Sequence, residues 1–303
     1  MRLRDLHESD FDEVAGLIHG ALATWYRENL NSERFGEDAS LFRAFPELYE
    51  GLDPGCAVVM EGEGRLAGVV FYHPRETHWG VGIVATHPDF AGRGVARRLM
   101  EEVIGRAGGM PLRLVSSAMN LDSFSLYTRL GFVPQRVYQD LVLRVPEGGL
   151  GVVVNDGFRV RRSEMADVER VVDFEMGLSG IRREKDFRHL IGNADGVWRM
   201  WIAEGEGGDL LGFLGAVMHP GVRMLGPGLA VDQRVAGRML RVVLDAEFRG
   251  FDALWLVPAD CAELVRECYG MGARNAELHL GSVRGSGAPM GGVVFPTFMP
   301  ESG

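Results

Sequence analysis

The chain repeats its own outline once, and that repeat constrains its fold more than any other feature. "RLRDLHESDFDEVAGLI", from Arg2, has a counterpart in "RVRRSEMADVERVVDFE", from Arg159. Each reads as an alternating strand, a polar break with a capping residue, then a helical apolar period. Further on, "VVMEGEGRLAGVVFYHP", from Val58, is echoed by "MWIAEGEGGDLLGFLGAVMHP", from Met200. Both read as a β-hairpin, two apolar strands joined at a Glu-Gly-Glu-Gly turn. Each half then continues strand, helix, strand and a second helix closed by glycine, at "RLGF" (Arg129 to Phe132) and "GMGA" (Gly270 to Ala273). Three landmarks in the same order favour duplication. The glycine-rich stretch "VPEGGLGVVVNDGF", Val145 to Phe158, lacks periodicity and marks the boundary. The expected division is a domain at 1–146, a linker at 147–157 and a second domain at 158–303.

A chain of 303 residues is long enough for two such cores. A net charge of −10 argues against the broad basic surface of a nucleic-acid binder. No apolar run is long enough to span a bilayer, so no membrane partner is expected. The start "MRLRDLHESDFDEV" has no apolar signal core, and cysteine is limited to Cys56, Cys261 and Cys268. A cytoplasmic protein with reduced thiols is the simple expectation. Cys261 and Cys268 are spaced to share a buried helical face, and no Cys/His cluster has zinc-ligand spacing, so no metal is expected.

The chemistry concentrates at "HPDFAGRGVARRLM", His87 to Met100. The buried strand "HWGVGIVATHP" leads into it, and the apolar helix "ARRLMEEVIGRAGG" leaves it. A strand, a glycine loop and a helix start make an anion site, because the first helical N–H groups lack partners and glycine lets a ligand approach the backbone. A dinucleotide-binding loop would need a third glycine where Arg97 stands, and a Walker loop would need Gly-Lys-Ser/Thr, which is absent. Taken alone, "GRGVA" is also compatible with a structural turn.

Thirty residues on, "AMNLDSFSLYTRLGF" reads as a strand end, an Asn and a helix carrying Tyr127. Together the two stretches resemble the GNAT superfamily of N-acetyltransferases. The family loop Arg/Gln-x-x-Gly-x-Gly/Ala matches Ala91 to Ala96, and its second motif matches Asn120, Ser123, Leu126, Tyr127, Arg129, Gly131 and Phe132. The departure is Ala91, where the family has Arg or Gln. The resemblance implies an α/β fold of two tandem GNAT-like domains, each a mostly antiparallel mixed sheet flanked by helices. It implies acetyl-CoA as co-substrate, with the coenzyme A pyrophosphate on Gly92, Arg93, Gly94, Val95, Ala96 and Arg97. Pantetheine would pair with Ile83, Val84 and Ala85, and Asn120, Ser123 and Arg129 would complete the coenzyme site.

The implied reaction is direct attack of a primary amine of a small metabolite on the thioester in a ternary complex. Backbone N–H groups around Val84 and Ala85 are the expected oxyanion donors, and Tyr127 the expected general acid. Members that use a carboxylate base place it near Gly80, where this chain has no side chain. Glu76 and His78 are the tentative base candidates: they alternate around Thr77 and would share a face if the segment were an extended strand. His87, before a proline, is expected as a turn residue. The acceptor wall would include Trp25, Tyr26 and Phe35, with Glu28, Glu33 or Glu37 drawing in a cation; packed aromatics and surface acids on amphipathic helices are the plainer reading of these residues.

The second half resembles a GNAT domain that has lost its coenzyme loop. Asp232, Gln233 and Arg234 stand where glycines are required, and Cys261 and Cys268 replace Asn120 and Tyr127. Such a domain would be structural or would help complete the acceptor site. Two other readings stay open: an acyl-CoA sensor without turnover, and an acetyltransferase of peptide or protein amino groups. Monomer and homodimer are both compatible with the sequence.

Overall fold

The computed structural model describes residues 1–33, 35–151, 157–287 and 290–298. The first half runs β1 (Arg2–Asp5), α1 (Phe11–Leu30), α2 (Ala44–Leu52), β2 (Ala57–Gly62), β3 (Arg65–Pro74), β4 (Trp79–Thr86), α3 (Val95–Arg106), β5 (Leu112–Ser117), α4 (Leu121–Arg129) and β6 (Val133–Arg144). The same order recurs as β7 (Phe158–Arg162), α5 (Val168–Ser179), α6 (Glu184–Gly192), β8 (Trp198–Gly205), β9 (Leu210–His219), β10 (Val222–Ala230), α7 (Gln233–Glu247), β11 (Asp252–Pro258), α8 (Ala262–Gly270) and β12 (Arg274–Arg284). A short strand without a first-half counterpart follows, β13 (Val293–Phe295). Residues 152–156 of the expected linker lie outside the described residues.

The β2–β3 hairpin shows how closely local sequence sets local shape. Its turn is Glu63-Gly64, with φ of +54° and +80°. Two consecutive positive φ values match the right-handed twist of the flanking strands, and glycine at the second makes the turn accessible.

The halves do not close as two separate sheets. The strand order is β1-β2-β3-β4-β5-β12-β6-β11-β10-β9-β8-β7, with β13 paired to β10. Each half therefore contributes its last long strand to the other. β12 lies antiparallel to β5, with Ser117 opposite His279, and β6 lies antiparallel to the whole of β11 through Tyr138 to Arg144. β6 and β12 also pair with each other at the centre.

Side-chain packing follows this exchange. A single apolar cluster joins Val14, Ile18, Tyr49 and Phe71 of the first half to Val171, Phe187, Phe213 and Leu256 of the second. Of two further clusters, the one into which α3 packs Val95, Leu99 and Val103 lies within the first half, whereas the one around Met239, Leu240 and Val243 of α7 also takes in Leu141 and Leu143 of β6. Ion pairs also join the halves: Arg75, beyond β3, donates to Asp186 of α6 at 2.6 Å in a buried pair, and the exposed Lys185 bonds the buried Asp53. None of the described helices is long and apolar enough to cross a membrane.

Candidate functional site

The site begins where β4 and β5 part. These parallel strands register only at Trp79 with Leu112 and Gly80 with Arg113. Beyond that point β4 stays bound to β3 and diverges from β5. A bulge helps to turn it: Tyr72 pairs with Val81 but Val70 with Val84, leaving one extra residue on β4 at Gly82–Ile83. Gly82, Ile83 and Val84 are half-exposed although they lie on an interior strand.

Backbone direction then fixes which groups face the divergence. The N–H of His87 is donated to Ala67, toward β3. Alternation turns Ala85 the same way, and Val84 and Thr86 toward β5. Of the two expected oxyanion donors, Val84 thus faces the opening. Ala85 does not, because its backbone groups belong to the ladder with β3.

The glycine loop follows β4 directly. Gly92 and Gly94 have φ of +74° and +77°, the left-handed region that glycine enters without steric cost. Gly94 caps α3 and supplies no side-chain acceptor. Among the described residues, no backbone acceptor takes the N–H groups of Gly92, Gly94, Val95, Ala96 or Arg97; the first helical bond is Arg98 N–H to Gly94. Ala91 is exposed, and its N–H closes a turn onto Pro88. His87 accepts from Asp89 N–H through Nδ1, the turn role expected of it. Arg93 is held by Glu63 at 2.6 Å and Arg97 by Glu101 at 2.8 Å. Both pairs are exposed, so an anionic ligand could exchange for either at little cost.

The second half has the same plan with each opening filled. Asp232 caps α7 by accepting from Val235 N–H at 2.8 Å, so a carboxylate lies at the helix start where the first half has bare N–H groups. Gln233 accepts from Glu263 and Leu264 N–H at the start of α8. β10 and β11 also part, meeting only at Met224 and Leu254, and β10 carries a matching bulge between Leu225 and Gly228. Here β13 enters the divergence, pairing Phe295, Val294 and Val293 with Gly228, Leu229 and Ala230.

The helices beyond the two divergences differ accordingly. α8 buries Leu264, Val265 and Cys268, whereas α4 buries no residue. Asn120 accepts from Ser123 N–H at 3.0 Å and so caps α4, as Cys261 occupies the cap position of α8. Tyr127 is half-buried, with its ring edge-on to Phe132 at 6.0 Å. Arg129 is exposed near the end of α4.

Glu76 and His78 are not part of this arrangement. The segment is a tight turn closed by Arg75 N–H to His78, so the extended-strand premise fails. The turn lies at the end of β4 opposite the glycine loop. Glu76 accepts there from Glu184 N–H at 3.1 Å, and His78 is buried among Arg75, Arg113 and Arg183, whose charges join desolvation in pushing its pKa well below 6.5.

A polar cluster that the sequence reading missed lies near the C-terminal end of β5. Glu277 of β12 accepts from the Tyr26 hydroxyl of α1 and from the Ser117 hydroxyl of β5. Asp140 of β6 and His279 of β12 complete a buried group whose ligand-capable atoms lie within 4.8 Å of one another. Such a set can hold a cation or pass a proton. The expected aromatic wall extends from it, Trp25, Tyr26, Phe35 and Phe42 packing edge to face. The carbonyl of Phe298 accepts from Tyr49, and its ring lies 5.0 Å from His279. The sequence signal was the alternation of Glu277 and His279, which Leu278 and Leu280 concealed by marking the opposite face as apolar. A second buried pair joins His73 Nδ1 to Asp53 at 2.7 Å; desolvation lowers the His73 pKa against the pull of Asp53.

Comparison with known proteins gives this geometry a context. Residues 21–132 match the sequence family described as acetyltransferase (GNAT) family. No curated protein matches the chain. Among solved structures, a candidate acetyltransferase of Pyrococcus horikoshii superposes with a TM-score of 0.73 at 13% identity, covering 97% of this chain and 92% of that one. A GCN5-related N-acetyltransferase from Sphaerobacter thermophilus gives 0.62 at 15% identity, covering 96% and 97% of the two chains. A tandem GNAT protein from the clavulanic acid biosynthesis pathway gives 0.60 at 15% identity, covering 93% and 97%. At such identities these likenesses concern the fold.

Proposed function

We propose that this chain, whose residues 21–132 match the GNAT acetyltransferase family, binds acetyl-CoA at the divergence of β4 and β5 and transfers the acetyl group to a primary amine of a small metabolite. One contrast carries the reading. The β4 edge at Val84–Thr86 faces an opening, whereas the equivalent β10 edge at Gly228–Ala230 is paired with β13.

In this reading the pyrophosphate sits on the N–H groups of Gly92 and Gly94 to Arg97, where the helix dipole and close backbone approach favour an anion. Arg93 and Arg97 turn from their acidic partners toward the phosphates. Pantetheine amides extend along β4 as an added strand, through the outward groups of Val84 and Thr86. Asn120 and Ser123 hold the start of α4, so that Tyr127 faces the thioester.

The acceptor nitrogen attacks the thioester carbonyl, and the N–H of Val84 stabilises the developing oxyanion. The C–S bond breaks, and the thiolate takes a proton from the Tyr127 hydroxyl, which an ordinary phenol retains at neutral pH. The second half serves as structure and completes the acceptor side through β12.

Calorimetric titration with acetyl-CoA, followed by thiol release across an amine panel, tests the reading. One coenzyme bound per chain and amine-dependent release are expected. Absence of binding would remove the site, and binding without turnover would make the chain a sensor.

A further inference from the structure

We propose, on the reading that the first half transfers an acetyl group, that Glu277 takes the proton of the acceptor ammonium. An alkylamine is largely protonated at neutral pH and must lose a proton before its nitrogen can attack. The base expected near Gly80 is missing, and Glu76 and His78 lie at the wrong end of β4.

Glu277 meets the positional requirement. Its carboxylate joins the two walls of the divergence, through Tyr26 of α1, which packs over β4, and through Ser117 at the end of β5. Ser117 comes just before α4, the helix that carries Tyr127. Strand exchange is what brings Glu277 there, since β12 belongs to the second half and pairs with β5. The site is thus incomplete without the half that has no coenzyme loop.

The steps balance as follows. The ammonium gives one proton to the Glu277 carboxylate, and the freed nitrogen lone pair forms the C–N bond. The C–S bond breaks, and sulfur takes the Tyr127 hydroxyl proton. The remaining excess proton on nitrogen passes to the Tyr127 oxygen and restores it. Asp140 and His279, within 4.8 Å, are the next groups that can accept the proton from Glu277.

The test compares an alkylamine with an alkoxyamine of the same skeleton, because the alkoxyamine is already neutral at assay pH. Glu277→Gln keeps the shape and an acceptor oxygen. It should lower kcat about 100-fold with the alkylamine and no more than a few-fold with the alkoxyamine. Coenzyme A affinity should be unchanged, which also verifies folding. Glu277→Asp, which retains a carboxylate, should recover part of the alkylamine activity lost in Glu277→Gln and leave the alkoxyamine within a few-fold. Equal losses with both amines in Glu277→Gln, or no loss with either, would overturn the assignment; if that variant does not fold, a loss in Glu277→Asp as large with the alkoxyamine as with the alkylamine would do so. Failure of the unsubstituted chain to acetylate any amine would instead overturn the transferase reading, and this inference with it.

Discussion

Gly228 pairs with Phe295 across β10 and β13, at the position where, among the described residues, Val84 of the first half has no strand partner on its β5 side. Phe295 is fully buried, and a Cβ on Gly228 would come within 3.2 Å of its ring. The chain has thus used its own C-terminal strand to occupy a divergence that its other half leaves open. Phe295→Ala should destabilise the protein by about 3–5 kcal/mol, the usual cost of a cavity from a buried phenylalanine. Coenzyme A should still bind once per chain, because Asp232 keeps the second helix start negative. Urea unfolding with calorimetric stoichiometry tests both statements, and a second bound coenzyme would contradict the account of the second half.

Gly94→Ala adds a Cβ that meets no atom within 4 Å, so its effect comes from φ of +77° alone. A left-handed non-glycine residue costs about 1–2 kcal/mol, and the loop relieves this by rotating its N–H groups off target. Coenzyme A affinity should weaken at least about tenfold, the equivalent of about 1.4 kcal/mol. Unchanged affinity by calorimetry would separate the loop from the pyrophosphate.

Ala91→Gln restores the side chain usual in the family at an exposed position with φ of −55°, which any residue adopts. Coenzyme A should bind a few-fold more tightly, while the same change at Ala96, inside the first turn of α3, should not help. Weaker binding of Ala91→Gln in the same titration would count against the motif alignment.

Tyr127→Phe removes only a hydroxyl from a half-buried ring packed beside Phe132. Coenzyme affinity should hold while kcat falls by about 100-fold, the scale of one proton transfer. Unchanged kcat at saturating amine would take Tyr127 out of the mechanism.

Local structure was legible where a residue's own backbone decides it. Gly92, Gly94 and the Glu63-Gly64 turn are where the glycine pattern put them, and Asp232 caps α7 where the first half has Gly94. The strand exchange was not legible. β6 and β12 are both long strands with backbones that can pair with either neighbour, and the choice rests on contacts between residues more than 100 positions apart, such as Ser117 with His279. β13 is three residues long, too short to show a period. Glu76 and His78 failed as site residues because alternation was read through a turn. Glu277 was missed because Leu278 and Leu280 mark a half-buried face of β12, while Glu277 and His279 lie on the buried one.

His78 should make the fold acid-sensitive. Burial, with Arg75, Arg113 and Arg183 nearby, depresses its pKa, so the folded state holds it neutral. In the unfolded chain the imidazole titrates near its ordinary value of about 6.5. As pH falls through that value the unfolded chain binds a proton that the folded chain refuses, and stability declines until the depressed folded pKa is reached. Above about 6.5 both states are neutral and this contribution is flat. One such proton gives a slope of at most about 1.4 kcal/mol per pH unit. His73, also depressed by burial, adds in the same direction, while its partner Asp53, with a lowered pKa, adds a loss only at lower pH. Urea unfolding at pH 7.5 and 5.5 should therefore show a smaller pH-dependent loss in His78→Gln than in the unsubstituted chain. A variant that keeps the full loss would assign the sensitivity to His73 and leave His78 silent.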